Sequence, residues 1–415
     1  MPIINSVIVE GGPTPSGTKQ ITTNGIHDVT NYATADVQVP TTAPESYRAF
    51  RVDGGKLTNS TTTPWVPLPA GVGTLDKYIF YQAYYRTPAN VLSGNIDMSS
   101  LTILQLCDYA CKGMFCQCYG ITSVNLSSLN TINSSYVCDQ MFYECTALTS
   151  ANLSALTQIK GYSSCSSMFW RTGLISLSLP ALTTLEGELC CSSMCRNCTM
   201  LTSVNLAALK TISNARQACA NMFQDCTALA SVDMSSLETI SSGRAEFNNT
   251  FKGCTSLVTV RFPSLKSIQT PFSFTKAFEN CTGLLDLWFY FAFTTYDSTV
   301  FSEMLTGCTN VTVHFPTAKQ SAMSSWSDVT NGFGGTNTTV LFDLVTSLTG
   351  ADTNTYTRSE KDSTSTATAW VYNNTLYYTS GVSDNTNGVN EPSVGDTIYS
   401  DAACTTAVTT IDAIA

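Results

Sequence analysis

The sequence predicts a β-rich repeat solenoid, in which short parallel strands alternate with irregular or helical turns, flanked by small β modules. Three observations predict it. An apolar pattern recurs every 26 to 28 residues through the middle of the chain. Cysteines recur with it at fixed places. Polarity comes from Ser, Thr and Asn, because charged residues make up only 12% of the 415 residues, well below the usual quarter.

The repeat is clearest in Ile121-Thr-Ser-Val124-Asn-Leu126-Ser-Ser-Leu129-Asn-Thr-Ile132. Equivalents of Val124 fall at Ala151, Leu177, Val204, Val232, Val260, Leu287 and Val313, with a degenerate earlier copy at Ile96. Val124 and Leu126 are two apart, so on a strand they face one way while Ser123, Asn125 and Ser127 face the other. Leu129, Ile132 and Phe142 complete one turn of core. One turn alone cannot bury these side chains; about eight stacked turns with capped ends can.

The cysteines share this register. One column holds Cys118, Cys145, Cys198, Cys226, Cys254, Cys281 and Cys308, with its vacant place assigned to Arg171. A second, three residues before each Met, holds Cys111, Cys138, Cys165, Cys191 and Cys219, and continues as Phe247, Phe274 and Phe301. Replacement of Cys by Phe marks core packing, so these are expected to be buried free thiols.

Met141-Phe142-Tyr143-Glu144-Cys145, Met222-Phe223-Gln224-Asp225-Cys226 and Ala277-Phe278-Glu279-Asn280-Cys281 resemble the turns of BspA-like (Treponema-type) leucine-rich repeats. The resemblance covers roughly residues 92–316. The family's Pro after the strand stands at Pro180, Pro263 and Pro316, and is Ser or Ala elsewhere. The resemblance implies a leucine-rich-repeat fold and a binding role, with no shared ligand.

Residues 1–45 are expected to form an N-terminal β module, with strands around an Asn24-Gly25 turn and a role in anchoring to a virion. Residues 46–91, with Tyr78, Phe80, Tyr81, Tyr84 and Tyr85, are expected to cap the solenoid. A C-terminal cap is assigned to 317–350, a Thr/Ser-rich linker to 351–368, and a small β module to 369–415. Both terminal modules resemble structural and fibre proteins of phages of gut bacteria.

The net charge of −10 opposes nucleic-acid binding. The N-terminal residues lack a secretory pattern, and no apolar run is long enough to cross a membrane. The two histidines, His27 and His314, lie in unlike segments without a nucleophile motif, and no phosphate loop or dinucleotide fingerprint occurs. No catalytic residue and no cofactor is therefore assigned. Cys191-x3-Cys195-x2-Cys198 and Cys111-x4-Cys116-x-Cys118 have the residue type for zinc, but their members belong to the repeat columns, and Cys195 replaces the Phe of Met-Phe. No metal site is assigned.

The outward strand position reads Asp97, Asn125, Asn152, Ser178, Asn205, Asp233, Arg261, Trp288 and His314. Its first six members are small and polar, and the last three are cationic or aromatic, with Tyr290 on the same face. Arg261, Trp288, Tyr290 and His314 are the candidate binding residues, suited to stacking on a sugar or anchoring a protein; the competing reading packs them against the C-terminal cap or the terminal β module. The function expected is a non-enzymatic phage virion protein, a fibre or appendage component made in the host bacterial cytoplasm and displayed on the virion surface. Its partners would be other virion proteins, through the terminal modules, and a host surface glycan or protein; homo-oligomerisation is left open. The alternatives are a BspA-like bacterial cell-surface adhesin and a glycan-processing enzyme.

Overall fold

The computed structural model describes residues 92–99, 101–105, 108–213, 216–241, 246–268, 271–290, 300–359, 367–380 and 395–414, together with Arg86, Ala89, Arg244, Pro392 and four strands nearer the N-terminus. Each rung of the solenoid has three sides. The first is the strand that the Val124 pattern predicts. These strands pair in parallel with Ile96, Val124 and Ala151 side by side, then Leu177, Val204 and Val232, then Val260, Leu287 and Val313. The stack extends one strand further, to Thr339–Leu344, where Val340 pairs beside Val313. The stretch expected to close the end is itself in register with the repeat.

The second side is a seven-stranded parallel sheet, which the repeat pattern did not reveal as strand. It runs from Ile103–Gln105 through Thr131–Asn133, Gln158–Lys160, Thr184–Glu186, Thr211–Ser213 and Thr239–Ile240 to Ser267–Ile268. Each strand inserts one aliphatic side chain: Leu104, Ile132, Ile159, Leu185, Ile212 and Ile240 are all fully buried. Two or three residues are too few to show a period of two, so only the buried residue was legible.

The third side carries the cysteine-rich turns, and among the described residues it contains no helix. A residue with left-handed backbone recurs at every fourth position, as at Tyr136, Gln140 and Glu144 (φ 57°, 57° and 56°). Glycine fills this slot at Gly113, Gly253 and Gly307. Backbone donors then alternate between two partners. The N–H groups of Tyr136, Cys138, Gln140, Phe142 and Glu144 bond to carbonyls of the next rung, at 2.7–2.9 Å. Those of Asp139, Met141, Tyr143 and Cys145 bond three residues back, at 3.1–3.3 Å. This ribbon of tight turns satisfies a backbone that lies against the core, and is the irregular of the two kinds of turn expected.

The core between the sides is layered by rung. Phe115, Phe142 and Phe169 stack with centroids 5.3 and 5.6 Å apart, and Phe223, Phe251 and Phe278 at 5.7 and 5.3 Å, interrupted only by Cys195. Toward the C-terminus the filling grows larger. Phe247 and Phe274 replace the second cysteine column, and Phe262 and Phe289 replace the Leu or Met two residues after the strand's central apolar residue. The two phenylalanine columns meet edge to face at 5.4–6.2 Å. This is a favoured aromatic geometry.

A closed barrel follows the solenoid. Its strands are Ser347–Gly350, Thr355–Ser359, Ala367–Tyr372, Thr375–Ser380, Thr397–Tyr399 and Ala407–Ile414. Leu348, Tyr356, Trp370, Ile398 and Ile411 fill it, and Trp370 Nε1 donates to Thr379 Oγ1 at 2.9 Å. The assignment of 351–368 as a linker is corrected here: Thr355–Ser359 is a barrel strand and Ala367 begins the next. Near the N-terminus, Lys19–Gln20, Thr34–Gln38, Phe50–Asp53 and Lys56–Asn59 form one sheet, which crosses the boundary expected at residue 45. The first two pair in parallel, and so are not arms of a hairpin. The Asn24-Gly25 turn, His27 and the aromatic residues 78–85 lie outside the described residues.

Candidate binding face

The outward column of the first side has a structural duty in most rungs. A side-chain oxygen of Asp97, Asn125, Asn152, Asn205 or Asp233 accepts the backbone N–H two residues on, at 2.9–3.2 Å. This Asx turn ends the strand and turns the chain toward the second side. The donor belongs to Ser99, Ser127, Ser154, Ala207 or Ser235. Where the residue two positions on is proline there is no N–H to accept, and the fixed proline φ makes the turn instead. Those rungs are Ser178 with Pro180, Arg261 with Pro263, and His314 with Pro316, and none has Asn or Asp in the column. Proline thus releases the column position for other side chains. That coupling is visible in the sequence once the two positions are read together.

The structure separates the four candidate binding residues. Trp288, Tyr290 and His314 are buried, at 2%, 6% and 6% exposure, and Arg261 is half-buried. Trp288 stacks on the His314 imidazole at 3.6 Å and packs with Tyr290 and Leu344. His314 Nδ1 lies 2.9 and 3.0 Å from the Asp343 carboxylate oxygens, and its Nε2 lies 3.5 Å from Asp286. Arg358, from the barrel, sits over Tyr290 at 5.0 Å and Trp370 at 5.8 Å. The exposed Trp-Tyr pair read from the sequence is therefore corrected. Strand alternation places both side chains outward, but the last solenoid strand and the barrel cover them. Only Arg261 of the four borders open surface.

That surface is a groove of about 720 Å³ across the preceding rungs. Ser176, Ser203, Ser231 and Thr259 line one side and Ser178, Asn205, Asp233 and Arg261 the other. Leu177, Val204 and Met234 underlie it at 3% exposure or less. Apart from Arg261, which it shares with the sequence reading, the groove lies two to four rungs nearer the N-terminus than Trp288. The hydroxyl column two residues before the Asx column was read as outward at Ser123 but not as part of a binding face, because serine in a Ser-rich repeat carries no local signal.

The thiol ladder has a regular partner. Sγ of Cys145, Cys198, Cys226, Cys254, Cys281 and Cys308 lies 2.9–3.1 Å from a backbone carbonyl of the preceding rung, that of Phe115, Phe169, Cys195, Phe223, Phe251 and Phe278 respectively. The vacant place in this column belongs to Thr172 and not to Arg171: Thr172 is buried and its hydroxyl donates to Phe169 O at 3.0 Å. Burial pushes the Cys254 thiol up to about 12 and those of Cys116 and Cys308 up to about 11. All cysteines described are free, and among the described residues no His, Cys, Asp and Glu group stands together as a metal site. No described helix is long and apolar enough to cross a membrane.

One titratable residue was missed altogether. Glu246 is fully buried, in a column otherwise held by Ala110, Val137, Ser164, Cys190, Ala218 and Ser273. One carboxylate oxygen accepts the Ala218 N–H at 2.9 Å, and Oε1 has no hydrogen-bond partner. Burial raises its pKa to about 7.

Two parallel strands per rung, a leucine-rich core and an outward strand face define a leucine-rich-repeat solenoid. The chain belongs to the family described as BspA type leucine rich repeat region, whose model matches in six copies over 57–167, 133–244, 166–272 and 192–330. Among solved structures, an internalin (inlF) from Listeria monocytogenes is similar at 13% identity over 68% of this chain and 86% of that one, with a TM-score of 0.20. No curated protein matches the chain.

Proposed function

We propose that this chain is a non-enzymatic, surface-displayed binding protein, adhesin-like in its action, that meets its partner in the groove across Ser176 to Arg261. The observation that carries this reading is the groove itself. It is open, its floor carries Ser, Asn, Asp and Thr side chains with Val232 and Pro263 between them, and the strands of Ser176, Ser203 and Ser231 are fixed by parallel pairing. Such a floor presents hydrogen-bonding groups at a rigid spacing, which favours recognition without a large ordering cost. The experiment is a blocking substitution. Ser203→Trp fills the groove, while Thr211→Trp places the same bulk on the second side. Loss of binding to host cells or matrix with the first, and retention with the second, is the expected result. Equal binding by both variants refutes the reading.

A second reading displays the solenoid on a phage particle for attachment to the host surface, with the terminal modules joined to other virion proteins. It rests only on the resemblance read in the sequence of the terminal modules. Mass spectrometry of purified particles and of the bacterial surface fraction separates the two, since each reading requires the chain in one and not in the other.

A further inference from the structure

One rung departs from the others at its turn. Cys195 stands where the neighbouring rungs have Phe169 and Phe223, and Cys198 is the column thiol three residues on. The Cys198 N–H donates to Cys195 O at 3.1 Å, so the two residues are the ends of one hydrogen-bonded turn. Such ends lie within about 7 Å of each other, and a disulfide takes Cα atoms about 4.4–6.8 Å apart. The two thiols are hydrogen-bonded to each other. With a thiol in place of a phenyl ring, the sulfurs have room to turn toward one another. Both are fully buried, but Arg196 and Asn197 between them are only half-buried, so opening of this single turn admits a small solute.

The other close thiols lack this geometry. Column neighbours such as Cys254 and Cys281 stand on successive rungs, with Cβ atoms side by side at about 4.8 Å, beyond the ~3.5–4.5 Å that a disulfide spans. Cys190 and Cys191 are adjacent in the chain, and a bridge between them would distort the peptide bond they share. The pair across the turn also divides its roles. Burial raises the Cys198 thiol, but hydrogen bonds from Cys195 and from Thr172 Oγ1, 3.3 Å away, outweigh it and hold this thiol below its ordinary value. The same thiol contact, with burial, keeps Cys195 protonated. A thiolate that attacks, beside a thiol that resolves, is what oxidation to a disulfide requires.

We propose that Cys195 and Cys198 are an oxidation site, closed to an intrachain disulfide by hydrogen peroxide while the other thiols of the solenoid stay reduced. The Cys198 sulfur attacks one peroxide oxygen, the O–O bond breaks, and water leaves a sulfenic acid on Cys198. The Cys195 sulfur then displaces that hydroxyl, which departs with the Cys195 proton as a second water. Two thiols lose two electrons and two protons, and one peroxide takes up both.

The test treats the folded full chain with hydrogen peroxide at neutral pH, removes the excess, and blocks the remaining thiols with N-ethylmaleimide in guanidinium. Trypsin, applied without reduction, cuts after Arg171, Arg196 and Lys210, and so separates Cys195 from Cys198. The expected product is peptide 172–196 joined to peptide 197–210, two hydrogens lighter than their sum, with and without a sulfoxide at exposed Met200. A reducing agent should release the two peptides. Cys195→Phe, which restores the residue of the neighbouring rungs, should abolish the joined product and leave Cys198 open to the blocking reagent; Cys195→Ser gives the same readout with less bulk. Cys191→Ser, in the same peptide as Cys195, should leave the product in place. Circular dichroism establishes that the variants fold. Absence of the joined product overturns the proposal, as does its persistence in a folded Cys195 variant or disulfides spread through the columns.

Discussion

Replacing Glu246 by Gln should raise the stability of the solenoid at neutral and alkaline pH and leave it nearly unchanged in mild acid. The carboxyl is fully buried, Ala218 N–H is bonded to one oxygen, and Oε1 has no hydrogen-bond partner. Burial disfavours the charged form, which raises the pKa from 4.5 to about 7. The folded chain therefore holds this proton more tightly than the unfolded chain does. Its stabilising effect is complete below the unfolded value, declines as pH rises from 4.5 toward 7, and is gone above 7. A difference of that size corresponds to about 3 kcal/mol. Gln keeps an acceptor for Ala218 N–H and is neutral at every pH. Its amide has two N–H donors where the protonated carboxyl has one O–H, so near pH 4.5 the two chains should differ by no more than about 1 kcal/mol. The assay is urea unfolding followed by far-ultraviolet circular dichroism between pH 4.5 and 8.5. The quantity compared is the difference between wild type and variant, which removes the titration of every other group. A difference that stays constant across this range would show that Glu246 is not held in the buried, uncharged state the structure implies.

Four further outcomes follow from the repeat. The thiols of the ladder other than Cys198, whose pKa is lowered by hydrogen bonds from Cys195 and Thr172, should resist a thiol reagent at neutral pH in the folded chain and react after unfolding in guanidinium, because burial both shields them and suppresses the thiolate; fast labelling of Cys254 or Cys281 in the native protein would contradict this. The Asn205 turn should cost about 1 kcal/mol to lose as Asn205→Ala. Ala207→Pro should be better tolerated with Asn205→Ser than alone, since that pair reproduces the rung of Ser178 and Pro180; additive unfolding free energies in the double-mutant cycle would refute the coupling. Leu189 occupies the left-handed slot with φ 58°, so Leu189→Asn should stabilise by about 0.5–1 kcal/mol, measured as a higher thermal midpoint; an unchanged or lower midpoint counts against strain at that slot.

The sequence carried the solenoid, the first-strand register and the thiol columns because each repeats with a period that chance does not produce. Val124 and Leu126 announce a buried face by alternation, and Cys145 announces its column by recurring in seven of eight rungs. The second strand was silent, since Thr131–Asn133 has one buried residue and no room for a pattern. The turn ribbon was silent for a different reason. Left-handed backbone falls on Tyr136, Leu189 and Phe272 as readily as on glycine, so no residue type marks it. There cross-rung hydrogen bonds override local preference, and a tertiary interaction leaves no trace in composition.

The error at Trp288 and Tyr290 has a more general cause. Alternation tells which way a side chain points, but not whether another element lies there. Both point away from the solenoid core, as read, and the last strand with the barrel then covers them. What the sequence did contain, unread, was the exchange between proline and Asx. A column residue tied to the N–H two positions on is committed to the turn; one followed by proline is not. Ser178 and Arg261 are the two uncommitted members along the groove, and they stand at its two ends, with Asn205 and Asp233 between. Variation at the turn therefore sets where this face can change chemistry without loss of the fold. Arg261 is the one place along the groove where a long cationic side chain has used that freedom, which is why the charge of the open face is concentrated at one end.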